Sequence, residues 1–265
     1  MQSNDDVLQS LPTDSRLSGR TAIVTGSTSG IGESIARVLA ASGAAVVISG
    51  RDAVRAQAVA DQIITAGGTA YAAPADLAGS YDDLRAFAAT ATRLLGGRVD
   101  ILVNNAGIYP ATPTADLSDA DLDAMLAINV RAPHVLVAEL APAMAAQGSG
   151  SIVNVGSWMS RVGVPFGAMY TASKAAIEQM TRTWSAEFGP SGVNVNTVAP
   201  GATSTPGNAE SADVLASMTA ATPAGRPVRP VDIAFGVRYL VSDEAAFVHG
   251  SVLDVDGGIS HTRVG

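Results

Sequence analysis

Seven short apolar runs, with stretches of helical spacing between them, constrain this chain more than any single motif does. They lie at residues 20–25, 45–49, 69–74, 99–104, 151–155, 193–199 and 252–255. No hairpin turn signal joins any two of them. Strands that alternate with helices pair in parallel and are covered on both faces. Right-handed crossovers then favour a doubly wound sheet. The expected fold is therefore α/β, a Rossmann-like parallel sheet of about seven strands with helices on both sides. Several helix starts are visible: Asp52 can cap one, Ser80 with Asp83 a second, and Ser118 with Asp121 a third. The segment 118–146 contains Pro133 and Pro142, which should kink or divide it.

No shift in composition separates domains, so residues 17–265 read as one unit. Residues 1–16 are polar, with Asp5, Asp6 and Asp14, and lack the apolar centre of a secretory signal; they read as a flexible extension. Residues 204–225, rich in small and turn-forming types, read as a substrate loop. The chain has no Cys, which excludes disulfides, zinc–thiolate sites and cysteine nucleophiles. Three scattered His give no ligand spacing, so no metal site is expected. A net charge of −8 argues against a nucleic-acid partner. Arg131, His134 and Glu139 interrupt the best apolar stretch, so no membrane span is expected and the cytoplasm is the default location.

The first run leads directly into Gly26-Ser27-Thr28-Ser29-Gly30-Ile31-Gly32. This Thr-Gly-x-x-x-Gly-x-Gly spacing departs from the dinucleotide fingerprint G-x-G-x-x-G, yet the physics is shared. Gly26 permits a tight turn. Gly30 and Gly32 let backbone approach a pyrophosphate, which the following helix N-terminus attracts. The second run ends at Ser49-Gly50-Arg51. A carboxylate there would hold a ribose hydroxyl, whereas an Arg accommodates a 2′-phosphate. Arg51 favours NADP, and the adjacent Asp52 keeps NAD as the alternative.

Tyr170 and Lys174 are four residues apart within a helical pattern and so share a face. A tyrosine ionises near pH ~10, and a neighbouring ammonium favours its phenolate. The pair is then a proton donor and acceptor shifted towards working pH. No Gly-x-Ser-x-Gly surrounds Ser157, so a hydrolase elbow is not supported.

From residue 17 to 258 the chain resembles the short-chain dehydrogenase/reductase family, of the compact single-domain type. Thr25–Gly32, Asn104-Asn105-Ala106-Gly107, the set Asn129, Ser157, Tyr170 and Lys174, Pro200-Gly201, and Asp256-Gly257-Gly258 match the family's motifs in order. The resemblance implies an oxidoreductase using NADP or NAD on a small-molecule alcohol or carbonyl compound. Tyr170 would be the acid–base, lowered by Lys174, which also holds the nicotinamide ribose. Ser157 would hold the carbonyl oxygen, and Asn129 a water. Cofactor contacts would come from Ser29, Ile31, Asp76, Leu77, Asn105, Ala106, Gly107, Pro200, Gly201, Thr203 and Thr205. It also implies a homo-oligomer, a tetramer or dimer, built on helices at 118–146 and 168–188. The candidate pocket wall is Ile108, Tyr109, Trp158, Met159, Phe166 and residues 204–222, with Arg161 a candidate for an anionic substrate group. Gly156 and His249 depart from the family's usual residues. The rival readings are a non-catalytic nucleotide-binding protein of the same fold and an epimerase or dehydratase.

Overall fold

The computed structural model describes residues 2–262 and 264. The seven strands form as β1 (Thr21–Val24), β2 (Ala45–Ile48), β3 (Thr69–Ala72), β4 (Ile101–Asn104), β5 (Gly150–Val155), β6 (Val193–Pro200) and β7 (Val252–Val255). They make one sheet in the order β3-β2-β1-β4-β5-β6-β7, with every pairing parallel. The winding direction reverses between β1 and β4, which opens a crevice above the carboxyl ends of those strands.

The helices are α1 (Asn4–Gln9), α2 (Gly30–Ala41), α3 (Ala53–Thr65), α4 (Tyr81–Leu94), α5 (Asp119–Leu126), α6 (Ala132–Ala146), α7 (Ala168–Phe188), α8 (Ala212–Thr219) and α9 (Pro230–Val241). Asp52 caps α3 by accepting from the amides of Val54 and Arg55 at 2.9 and 3.0 Å. Ser80 and Asp83 form the reciprocal box at the start of α4, and Ser118 accepts from Asp121 ahead of α5. Strand side chains alternate between faces. Val24, Val46 and Ile48 join Ile35, Leu39 and Val237 on one side of the sheet. Ile23, Leu102 and Ile152 join Leu84, Leu136 and Trp184 on the other.

Three expectations differ from the structure. Residues 2–16 are not a bare extension: α1 opens on a Ser3–Asp6 capping box, and Val7, Leu8 and Leu11 pack on the core. Six residues are too few for a visible apolar period, and the partner is α9, far away in sequence. The stretch 118–146 divides at neither proline. A π-turn, Ala127–Arg131, joins α5 to α6; Pro133 falls in the first turn of α6, where its missing N–H costs little, and Pro142 lies within α6. By length and composition Asp119–Ala146 would suffice to cross a membrane, but half of its most apolar window is buried inside the fold. Finally, the loop at 204–225 carries a 3-10 segment, Pro206–Ser211, and α8.

Candidate active site

The loop after β1 is held from behind. The Asn105 side chain donates to the carbonyls of Thr25 and Gly26 at 2.8 and 3.0 Å. The Thr25 hydroxyl accepts from the amides of Asn105 and Ala106 at 3.0 and 3.1 Å. Gly26 has φ 63°, and a Cβ there would lie 2.9 Å from the Ala106 Cα. At Gly32, in the first turn of α2, a Cβ would fall 2.2 Å from the Gly26 carbonyl oxygen. Loop and helix start therefore touch backbone to backbone. Ser29 heads α2 without capping it through its side chain, so first-turn N–H groups remain available to an anion. The donor set suits a dinucleotide pyrophosphate.

This loop forms one wall of a cavity of about 400 Å³ that also includes Arg51, Asp76, Leu77, Ala106 and Gly107. Asp52 is committed to α3 and is not in that wall. Arg51 is, and it has no ion-pair partner among the described residues. The Asp76 carboxylate accepts from the Ala78 amide at 3.0 Å. Sequence reasoning missed Ile128 in this wall, and it read Thr28, Ser49 and Gly50 only as part of the loop and strand end without assigning them a contact. The signal for Gly50 is steric: a Cβ there would sit 2.6 Å from a Thr28 methyl.

The four expected catalytic side chains converge at the ends of β4 and β5 and the start of α7. Asn129, in the π-turn, accepts from the Ile108 amide at 3.0 Å and donates to the Ile108 carbonyl and the Ser173 hydroxyl, both at 3.1 Å. It thereby ties the loop after β4 to α7. Ser157 ends the run after β5 and accepts from the Met159 amide at 3.2 Å. Lys174, 5% exposed, donates to the Val155 carbonyl at 2.8 Å. Its ammonium lies 5.9 Å from the centre of the Tyr170 ring. The Tyr109 ring packs against Tyr170 at a tilt of 58°, centroids 4.4 Å apart. Behind them a buried polar ladder positions α7: Asn104 donates to Asn154 at 2.9 Å, and Asn154 to Thr181 at 2.8 Å.

The electrostatics correct one expectation. Burial pushes the Tyr170 phenol above its ordinary value, while a hydrogen bond with Ser157 pulls the other way. The net direction is upward, opposite to the one expected from the lysine charge, and burial also lowers Lys174 itself, to about 8. Gly156, a departure from the family pattern, has a local reason: a Cβ there would meet a Thr197 methyl at 2.8 Å.

Ser157, Tyr170 and Lys174 line a second cavity, of about 970 Å³, together with Ile108, Tyr109, Trp158, Met159 and Phe166 and part of 205–218. It shares Ile31, Asn105, Gly107, Ile108, Thr205 and Gly207 with the smaller one. Pro200, Gly201 and Thr203 belong to the larger cavity alone. Arg161 lines neither: its guanidinium is paired with Asp254 and Glu178.

The sequence profile described as short chain dehydrogenase matches residues 20–215. The chain belongs to the short chain dehydrogenase family. Among curated members of that family it is similar to cis-4-hydroxycyclohexanecarboxylate dehydrogenase of Sinomonas cyclohexanicum. The two are 41% identical over 243 residues, 90% of this chain and 96% of that protein. A solved short chain dehydrogenase/reductase family protein is 46% identical with a TM-score of 0.86, covering 93% of this chain and 100% of that one. The gluconate 5-dehydrogenase of Burkholderia cenocepacia, solved with NADP and tartrate, is 34% identical with a TM-score of 0.86, covering 94% and 98%. Family membership makes the chain an oxidoreductase that binds a nicotinamide dinucleotide.

Proposed function

We propose that this oxidoreductase moves a hydride reversibly between NADP(H), in preference to NAD(H), and a secondary alcohol or ketone of small or medium, mainly apolar build. One observation carries the reading: Ser157, Tyr170 and Lys174 lie together in a cavity that continues from the glycine-lined crevice. The bound nicotinamide supplies or accepts the hydride. Tyr170 gives its proton to the carbonyl oxygen in reduction and takes one from the alcohol in oxidation. The Ser157 hydroxyl holds that oxygen, as an oxyanion donor does. Lys174 holds ribose hydroxyls and restores the proton on Tyr170. Pro133 lacks the N–H that would close an α-helical bond to the Asn129 carbonyl, which suits that carbonyl to hold a water leading from Lys174 to solvent. Gly26, Ser29, Gly30, Ile31 and Gly32 cradle the pyrophosphate, Asp76 and Leu77 the adenine end, and Thr203 and Thr205 the carboxamide end.

Preference for NADP rests on Arg51 in the crevice wall with Asp52 committed to α3. The enzyme works in the cytoplasm, where nicotinamide dinucleotides are supplied. It associates as a dimer or tetramer through α5, α6 and α7; Leu126, left 39% exposed at the end of α5, supports such a contact.

Fluorescence titration with both dinucleotides, followed by a carbonyl panel with the tighter one, tests the reading. Tyr170→Phe should lower kcat by roughly 10²–10⁴-fold while the cofactor still binds. A fully active variant refutes the assignment. Arg51→Ala should weaken NADPH roughly tenfold or more and leave NADH nearly unchanged, since a charged hydrogen bond is worth about 1.5–3 kcal/mol. Equal loss for both would remove the preference for NADP.

A further inference from the structure

The geometry points to a substrate that carries no negative charge: the cavity selects neutral ketones and alcohols against carboxylate-bearing ones. This rests on the oxidoreductase reading above and adds a chemical class to it. Among the described residues, Lys174 and Glu210 are the only charged side chains lining the 970 Å³ cavity. Lys174 is buried and donates to the Val155 carbonyl. Glu210, exposed on the 3-10 segment Pro206–Ser211, is itself an anion.

Arg161 is the cation that could have met a carboxylate, since it follows the wall residues Trp158 and Met159 by three and two positions. The structure turns it elsewhere. One terminal nitrogen of its guanidinium donates to Asp254 at 3.0 Å, and the other to the same carboxylate. Its Nε lies 3.5 Å from the buried Glu178 carboxylate. Both faces of the fork are taken, and the pairing with Asp254 raises the Arg161 value further. The side-chain amide of Asn208, in the cavity wall, is also spent. It accepts from the Thr205 amide at 2.8 Å and donates to the Thr203 carbonyl at 2.9 Å. The remaining wall is largely apolar: Trp158, Met159 and Ala202 line it from a small core, against which Phe166, Leu215 and Met218 pack. A carboxylate brought in would find no cation but Lys174, whose ammonium is already engaged by the Val155 carbonyl. Two relatives are named for carboxylate substrates, a hydroxycyclohexanecarboxylate and a gluconate. On this inference the present chain differs from both.

The test uses matched ketone pairs with the full-length enzyme: cyclohexanone with 4-oxocyclohexanecarboxylate, and acetophenone with 4-acetylbenzoate. For at least one pair the neutral member should have a kcat/KM about tenfold higher or more, in line with an unpaired buried charge. Glu210→Lys, at an exposed position outside the catalytic set, should narrow that ratio by raising use of the carboxylate. Equal or better use of the carboxylate members by the wild type overturns the inference and leaves the oxidoreductase reading standing. Turnover of neither member of either pair, and of no ketone in the wider panel with NADPH or NADH, overturns both.

Discussion

Lys174 carries the clearest electrostatic cost in the molecule. Its value of about 8 in the folded protein lies below the ordinary lysine value of 10.5. Between those values the unfolded chain holds more protons than the folded one, so stability rises with pH across that window. Below about pH 8 the full cost of a buried charge is present. Without added cofactor, Lys174→Met should therefore be the more stable protein at pH 7, and the wild type should gain on it from pH 8 to 10. A gap in melting temperature that stays constant over that range would count against a desolvated ammonium. At this same scale the sequence was readable where chemistry or backbone narrows the choice of residue. Gly26 and Gly32 have no room for a Cβ, and the Tyr170–Lys174 spacing puts both on one helix face. It was silent on Asn154 and Thr181, and on the partners of the Thr25 hydroxyl, because a hydroxyl or amide gains its role only from partners the fold delivers. The sign of the Tyr170 shift was misjudged for a related reason: spacing reports adjacency, whereas burial depends on the whole structure.

Among the elements, α9 begins without a Ser, Thr, Asn or Asp of its own at the cap position. Asn4 of α1 supplies the missing acceptor, taking the Val231 amide at 2.9 Å, while Arg229 reaches the Gln2 carbonyl at 3.0 Å. A helix cap supplied from more than 200 residues away couples the N-terminal segment to the core. Asn4→Ala should cost about 1 kcal/mol, as loss of a cap does, and lower the urea midpoint with an unchanged slope. An unaltered midpoint would mean that α1 is not docked in solution. The strands were legible because each is a run of β-branched and apolar residues bounded by turn formers. The α2, α3, α4 and α5 starts were legible from glycine or capping residues. α1 and α8 were not, since helices of six and eight residues give fewer than three turns for a pattern to repeat.

For the molecule as a whole, the order of the strands decides where chemistry can occur; the parallel, doubly wound class followed from alternation of strand and helix, whereas the order itself is read from the structure. Mobility did not follow. The segment 204–225 folds over the larger cavity with few fully buried residues, among them Thr219 and Thr222. Such a segment belongs to the low-stability end of a structure. Limited proteolysis should cut it, and NADPH should slow that cut several-fold; equal cleavage with and without the dinucleotide would argue against ordering on binding. Thr205 and Gly207 stand in the walls of both chambers at once. A partition shared in this way gives the two compartments a common wall, so a guest in either one touches the same two residues as a guest in the other.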